Sequence, residues 1–370
     1  MRIVLFYQSL ISDWNHGNAH FLRGIASELL ARGHRVDVYE PRNSWSVQNL
    51  IAENGWVPLV EFDQAYPHLS SYRYDLEQLN LDRVLRAADL VIVHEWNEPE
   101  LIERIGDYRR RQGSFVLLFH DTHHRIAGQT SLPFSLKHYD GVLAYGQVLT
   151  KRYLRNHWAE RAWTWHEAAD VRVFHPLPQI PRTLDLVWIG NWGDEERSAE
   201  LHEFLIQPVK ELKLTAKVYG VRYPDEAIAA LSDADIRYRG WLPNYKVPEA
   251  FAGARLTLHI PRRPYVRDLP GIPTIRPFEA LACGIPLVCS PWNDAEHLFT
   301  AGRDFLVAQN GEEMKQLIDR VLSDSDFAAE LAHHGLATIR QRHTCAHRVE
   351  ELLDIYAALM KESQQLVAAL

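Results

Sequence analysis

The sequence is poor in cysteine and in methionine, with 3 of each in 370 residues. So little cysteine excludes a disulfide scaffold, and Cys283, Cys289 and Cys345 lack the spacing of a cysteine zinc site. A reducing compartment, the cytosol, is the expected location. No run of about 18 apolar residues occurs, so no transmembrane helix is expected. The apolar N-terminal run Ile3 to Tyr7 is too short for a signal-peptide core and reads as a buried strand. There is no basic surplus either: 40 Lys and Arg stand against 48 Asp and Glu, net −8. That balance disfavours non-specific duplex binding, and no nucleic-acid partner is expected. Two residue types are abundant instead, with 19 His and 11 Trp.

A βαβ rhythm runs along the first half. Apolar strands are predicted at 3–8, 35–40, 87–93, 115–120 and 141–146. Between the first two lies a helix over 20–33, with apolar residues at helical spacing and Gly33 as its stop. A second helix is predicted to open at 98–99. The proline-rich stretch 176–181 interrupts the rhythm as a semi-rigid connector. Strands then recur at 185–192, 215–220, 236–241, 255–260 and 286–290, with a helix from 277 to 283. Continuous apolar strands alternating with amphipathic helices imply parallel sheets covered on both faces. The reading is α/β with two Rossmann-like domains, 1–175 and 176–346. An amphipathic helix fills 347–360, with fraying expected over 361–370.

Ligands of open parallel sheets bind beyond the carboxyl ends of the strands. The loop after the first strand carries Asp13, Trp14, His16, Gly17, Asn18 and His20. Gly17 precedes a helix N-terminus, which favours an anion, and Asn18 is the expected cap. His94 and Glu95 end a strand ahead of Trp96 and Asn97, with Asn97 expected to cap the next helix. FHDTHHR (119–125) concentrates His120, Asp121, His123, His124 and Arg125, residues suited to substrate recognition and proton movement. Their spacing is not that of a metalloprotease helix, and no metal or other cofactor is expected. In the second half, Gly190 and Asn191 end a strand, and Arg197 is expected on the first turn or two of the following helix, suited to clamp a phosphate. Trp241 offers an indole for stacking on a base. Thr274, Ile275 and Arg276 precede Pro277, which suits a first helical turn, so amides and a guanidinium would meet an anion. Glu279, expected inside that first turn, can accept two vicinal hydroxyls. Phosphate amides beside a hydroxyl-binding carboxylate are what a nucleoside diphosphate requires.

From these residues a family resemblance follows. EALACGIPLV (279–288) is similar to the donor-site helix of retaining family-four glycosyltransferases of the GT-B fold. Gly17, Leu29-Leu30 and GHRV (33–36) look like that family's opening βαβ unit, and WHEAADVRVFHP (165–176) like its approach to the interdomain linker. RPFEALACG with RGWLPNYKVP (239–248) and TCAHRVEELLDIY (344–356) looks closest to the CgeB-like, spore-maturation branch. The resemblance implies two facing Rossmann-like domains, acceptor on the first and donor on the second, with a C-terminal helix (347–370) crossing back. It implies that Glu279 holds the ribose, that Thr274 to Arg276 hold phosphates, that Gly190 approaches the diphosphate, and that His120 faces the donor sugar. One departure stands out: Gly271 occupies the place of a second family glutamate that contacts the transferred sugar.

The expected activity is metal-independent glycosyl transfer from a nucleoside-diphosphate sugar, a UDP-sugar being one candidate. The acceptor class stays open among glycan, peptide, lipid and small molecule. If the reaction inverts, the base candidates are Asp121, His16, Asp13 and Glu95, in that order. A sugar-nucleotide 2-epimerase and a non-catalytic sugar-nucleotide-binding protein are the competing readings.

Overall fold

A computed structural model describes residues 1–126 and 128–368. The chain divides into two compact units. The first joins residues 1–166 to the segment from 345 onward, and the second is residues 167–344. The crossing between them lies upstream of the proline-rich stretch 176–181.

The first unit holds β1 (Arg2–Phe6), β2 (Arg35–Pro41), β3 (Ser71–Tyr74), β4 (Leu90–His94), β5 (Val116–Asp121), β6 (Gly141–Ala144) and β7 (Ala162–Thr164). They form one sheet in the order β3-β2-β1-β4-β5-β6-β7, and every pairing is parallel. β1, β4 and β5 are almost wholly buried. Their unbroken apolar runs are the consequence, since a parallel sheet is covered on both faces. The helix Asn18–Ala31 begins after Gly17, so Gly17 and not Asn18 is the cap residue. The long helix Cys345–Ala368 packs against it. Trp165 anchors that helix by donating from Nε1 to the Arg348 carbonyl at 2.8 Å. Of the stretch 361–370 where fraying is expected, 361–368 continue this helix; residues 369–370 lie outside the described residues.

The second unit holds β8 (Leu184–Ile189), β9 (Ala216–Tyr219), β10 (Ile236–Tyr238), β11 (Ala254–His259), β12 (Leu287–Cys289) and β13 (Leu306–Val307). Its order is β10-β9-β8-β11-β12-β13, again all parallel. Successive residues of β8 enter different cores: Leu186 and Trp188 pack on one face, Val187 and Ile189 on the other. That alternation is the period-two geometry of a strand with two covered faces. In both sheets the strand order reverses beside the first strand, at β1/β4 and at β8/β11. The loops leaving these strands open a crevice at each reversal, the usual ligand position in such sheets.

At the second crevice two glycines touch. A Cβ on Gly220 (φ +154°) would lie 2.0 Å from the Gly190 carbonyl oxygen. Only glycine tolerates both that torsion and that approach. Gly220→Ala should therefore lower stability by about 2–3 kcal/mol. Urea midpoints check this, with Gly128→Ala, where no atom lies within 4 Å, as a control expected to change little.

Candidate functional site

In the second unit the crevice at β8/β11 is bordered by three arginines. Arg197, expected on the first turn or two of a helix, instead caps the helix Ser198–Leu201 just ahead of its first turn. Its guanidinium donates to the Ile260 carbonyl at 2.8 Å and to the Asn191 carbonyl at 2.5 Å. It thus ties the loop after β8 to the loop after β11, which fixes the mouth of the crevice. Its Nε is buried without a hydrogen-bond partner. Burial lowers its pKa to about 10, and the nearby charges of Arg262 and Arg276 act in the same direction. Arg262 pairs with Glu196 at 3.0 Å. Gly190 has a packing reason for its identity, since a Cβ there would meet the Trp188 ring at 2.8 Å. Asn191 accepts from the Val221 amide at 2.9 Å. Trp241 is half-buried just beyond β10, whereas Trp192 belongs to the apolar core.

The helix Ile275–Ala282 points its N-terminus at the same strand ends. Thr274 caps it in extended conformation without a side-chain cap bond. Its hydroxyl lies 3.3 Å from His259 Nε2 instead. Ile275 and Arg276 open the helix, so Glu279 stands in the second turn and not inside the first. Glu279 is fully buried. It accepts from Asn244 Nδ2 at 2.7 Å and forms an ion pair with Arg276. Burial, with the charges of Arg197 and Arg276, drives His259 down to about 3, so its ring is neutral, and its Nδ1 has no partner. The Ser198 hydroxyl is buried and likewise unpartnered. Asn244 and His259 were not singled out by the sequence. His259 is the last residue of a strand, which was a usable signal; Asn244, in a single 3-10 turn, gave none.

In the first unit the crevice at β1/β4 is lined by imidazoles. His94 and His120 face each other in register at the ends of β4 and β5. Their ring centroids are 5.4 Å apart, and His16 lies 6.5 Å from His94. All three are buried. His16 Nε2, His94 Nδ1 and His120 Nε2 have no hydrogen-bond partner. The other edges are held: His94 Nε2 by the Thr122 hydroxyl at 2.8 Å, His120 Nδ1 by the Tyr7 hydroxyl at 2.6 Å. Burial drives His120 to about 3 and His16, with help from Arg23, to about 4; His94 falls well below the usual range. The cluster is therefore neutral at pH 7.

The carboxylates nearby are differently placed. Asp13 is bound to the buried Arg23 at 2.8 Å. Asp121 accepts from the His123 amide at 3.1 Å and from Tyr153 Oη at 2.8 Å, one bond on each oxygen. Glu95 takes Arg125 on Oε2 at 2.7 Å and leaves Oε1 buried and unpartnered. Burial raises both Glu95 and Asp121, and the Asp121 charge adds to the rise at Glu95. Arg125 also lies 3.8 Å over the Trp96 ring, a cation–π contact. His123 meets that same ring edge-on and stacks on His124 at 4.1 Å. Asn97 does not cap the following helix, which starts after Glu98. It donates to the Phe6 and His94 carbonyls and so joins β1 to β4. Among the described residues no group of three or more His, Cys, Asp and Glu is placed to hold a metal ion.

Four neutral histidines make the fold acid-sensitive. A histidine with a lowered folded pKa stabilises above its unfolded pKa, and that contribution is lost as pH falls through the folded value. All four act in this direction as pH falls below 6.5, His16 until about 4 and His120 and His259 until about 3, with His94 lowered in the same sense. The raised Glu95 and Asp121 oppose them, gaining stability as pH falls, but they are outnumbered. Urea midpoints should drop steadily from pH 6.5 to 4.5. His259→Gln, by removing one of the four, should flatten that limb.

Residues 197–354 match the glycosyl transferase-like protein family. No curated protein matches the sequence. Among solved structures, the chain is similar to sucrose-phosphate synthase from Thermosynechococcus elongatus, with TM-score 0.66, 14% identity and 100% coverage of both chains. It is also similar to Anabaena HepE in complex with UDP-glucose, with TM-score 0.66 and 16% identity over 97% of this chain and 100% of that one. A third is an α-glucosyltransferase in complex with UDP-glucose and DNA containing an abasic site, with TM-score 0.69 and 12% identity over 96% and 99%. The fold is GT-B. In this GT-B chain the C-terminal helix Cys345–Ala368 belongs to the first unit, the arrangement expected from the sequence. No described helix is long and apolar enough to cross a membrane.

Proposed function

We propose that the chain transfers a sugar from a nucleoside-diphosphate sugar. The observation that carries this reading is the crevice at β8/β11. There Arg197, Arg262 and Arg276 gather beside a helix N-terminus, with Arg197 Nε, His259 Nδ1 and the Ser198 hydroxyl left without partners. Buried polar groups left open among arginines at a helix N-terminus suit an oxygen-rich anion. Glu279, one turn further in, is the acceptor for ribose hydroxyls. As the anomeric bond breaks, the diphosphate gains charge, and the arginines and the first amides of Ile275–Ala282 stabilise it without a metal ion. The neutral imidazoles of the first unit bind sugar or acceptor hydroxyls by hydrogen bonds. If a protein base is needed, His16 is better placed than Asp121, both of whose oxygens accept hydrogen bonds, than Asp13, which is tied to Arg23, or than Glu95, which is tied to Arg125 and whose pKa burial raises.

The match over residues 197–354 to a glycosyl transferase-like family supports this reading. Related folds hold UDP or UDP-glucose, so UDP-sugars are the first donors to try. The experiment is incubation with UDP-, GDP- and dTDP-sugars plus an acceptor panel of glycans, peptides, lipids and small alcohols. Released nucleotide together with a glycosylated product is the expected result. A free epimeric sugar would favour the epimerase, and nucleotide binding without any turnover would favour a sugar-nucleotide sensor.

A further inference from the structure

We propose that Tyr7 is a positioning residue that fixes His120 as a hydrogen-bond donor, with the ring proton on Nε2. Tyr7 follows directly on β1 and is 2% exposed. Its hydroxyl lies 2.6 Å from His120 Nδ1, and that is its one hydrogen-bond partner among the described residues. Two arrangements fit that distance. Either the phenol donates to Nδ1, or Nδ1–H donates to the phenolic oxygen. In the second case the buried phenolic proton has no acceptor, which costs about 1–3 kcal/mol. Burial also holds the phenol far above its ordinary pKa, so it keeps its proton. The phenol therefore donates. A neutral imidazole carries one proton, and His120 is neutral, so that proton is on Nε2.

The ring is held in place to present it. Trp165 meets His120 edge-on at 4.8 Å, His94 at 5.4 Å and Phe21 tilted at 5.9 Å. Tyr7 itself stacks on His94 at 4.6 Å. The Nε2 edge is buried and unpartnered, the state of a donor that awaits an acceptor. His16 Nε2, at the same crevice, is likewise buried and unpartnered. His120 cannot withdraw a proton in this state. What its N–H is used for, contact with an oxygen of the transferred sugar, rests on the function proposed above; the tautomer does not.

The test is nitrogen-15 labelling of the histidines in the full chain, followed by long-range proton–nitrogen correlation of the His120 ring. His120→Asn identifies its signals. The expected pattern is an unprotonated Nδ1 and a protonated Nε2 in the wild type. Tyr7→Phe keeps the stacked ring but removes the donor, and should replace that pattern with a tautomer average. An Nδ1-protonated ring in the wild type overturns the proposal, and so does a pattern that Tyr7→Phe leaves unchanged. Should Tyr7→Phe fail to fold, the wild-type spectrum alone still decides. In the transfer assay Tyr7→Phe should lower kcat about tenfold with the donor KM unchanged. An Nε2-protonated ring with kcat unaffected would uphold the tautomer and count against the proposed use of His120.

Discussion

Glu279→Gln is expected to weaken UDP binding by about tenfold to a hundredfold, the value of one or two hydrogen bonds to a charged acceptor. The substitution keeps size and buried shape but removes the charge that faces Arg276 and accepts from Asn244. Titration calorimetry measures it. The specificity of the effect can be isolated, because the loss should shrink for a uridine diphosphate lacking the ribose 2′- and 3′-hydroxyls. That is a double-mutant cycle between side chain and ligand. Glu279→Ala is a poorer probe. Glu279 is fully buried, and truncation takes an acceptor from both Arg276 and Asn244, at a cost of about 1–3 kcal/mol in stability. Equal UDP affinity in wild type and Glu279→Gln would remove Glu279 from the donor site.

His120→Ala is expected to lower turnover by about a hundredfold to a thousandfold, the scale seen when a preorganised donor in an active site is deleted. Nucleotide affinity should change by less than about threefold, because His120 belongs to the first unit and the proposed nucleotide site to the second. The split between kcat and donor binding is the informative readout. Parallel losses in both would mean that His120 only shapes its surroundings. Truncation also opens a void beside Trp165 and Phe21, so His120→Gln, which can carry a donor to a similar place, should recover part of the turnover if donation is the role.

Much of this was legible in the sequence. β1, β4 and β5 were readable because a strand covered on both faces must be apolar throughout. The short edge strands β3, β7 and β13 were not. β3 exposes both Tyr72 and Arg73, on opposite faces of the strand, so neither run nor alternation marks it. The residues of the helix Ile275–Ala282 are recognisable from Pro277, Glu279 and the stop after Cys283, but Pro277 marks the third helical position and not the first, which sets Glu279 in the second turn. Asp121 ranked first as a base because it ends a buried strand beside histidines. Nothing local announces that Tyr153, from a helix 32 positions away, takes one of its oxygens. The pairing of Arg23 with Asp13 is missed for the same reason: an arginine in an amphipathic helix reads as surface, and this one is 1% exposed. Side-chain partners supplied by distant elements decide which carboxylates stay available, and a linear reading does not contain them.

The measurement closest to the central claim is a crystal structure of the chain with UDP. The ribose hydroxyls are expected at Glu279, the diphosphate against the amides of Ile275 and Arg276 with Arg197 or Arg262 in contact, and no nucleotide on the histidine cluster of the first unit. Nucleotide seated elsewhere, with the crevice at β8/β11 empty and the Arg276–Glu279 pair undisturbed, would contradict that claim.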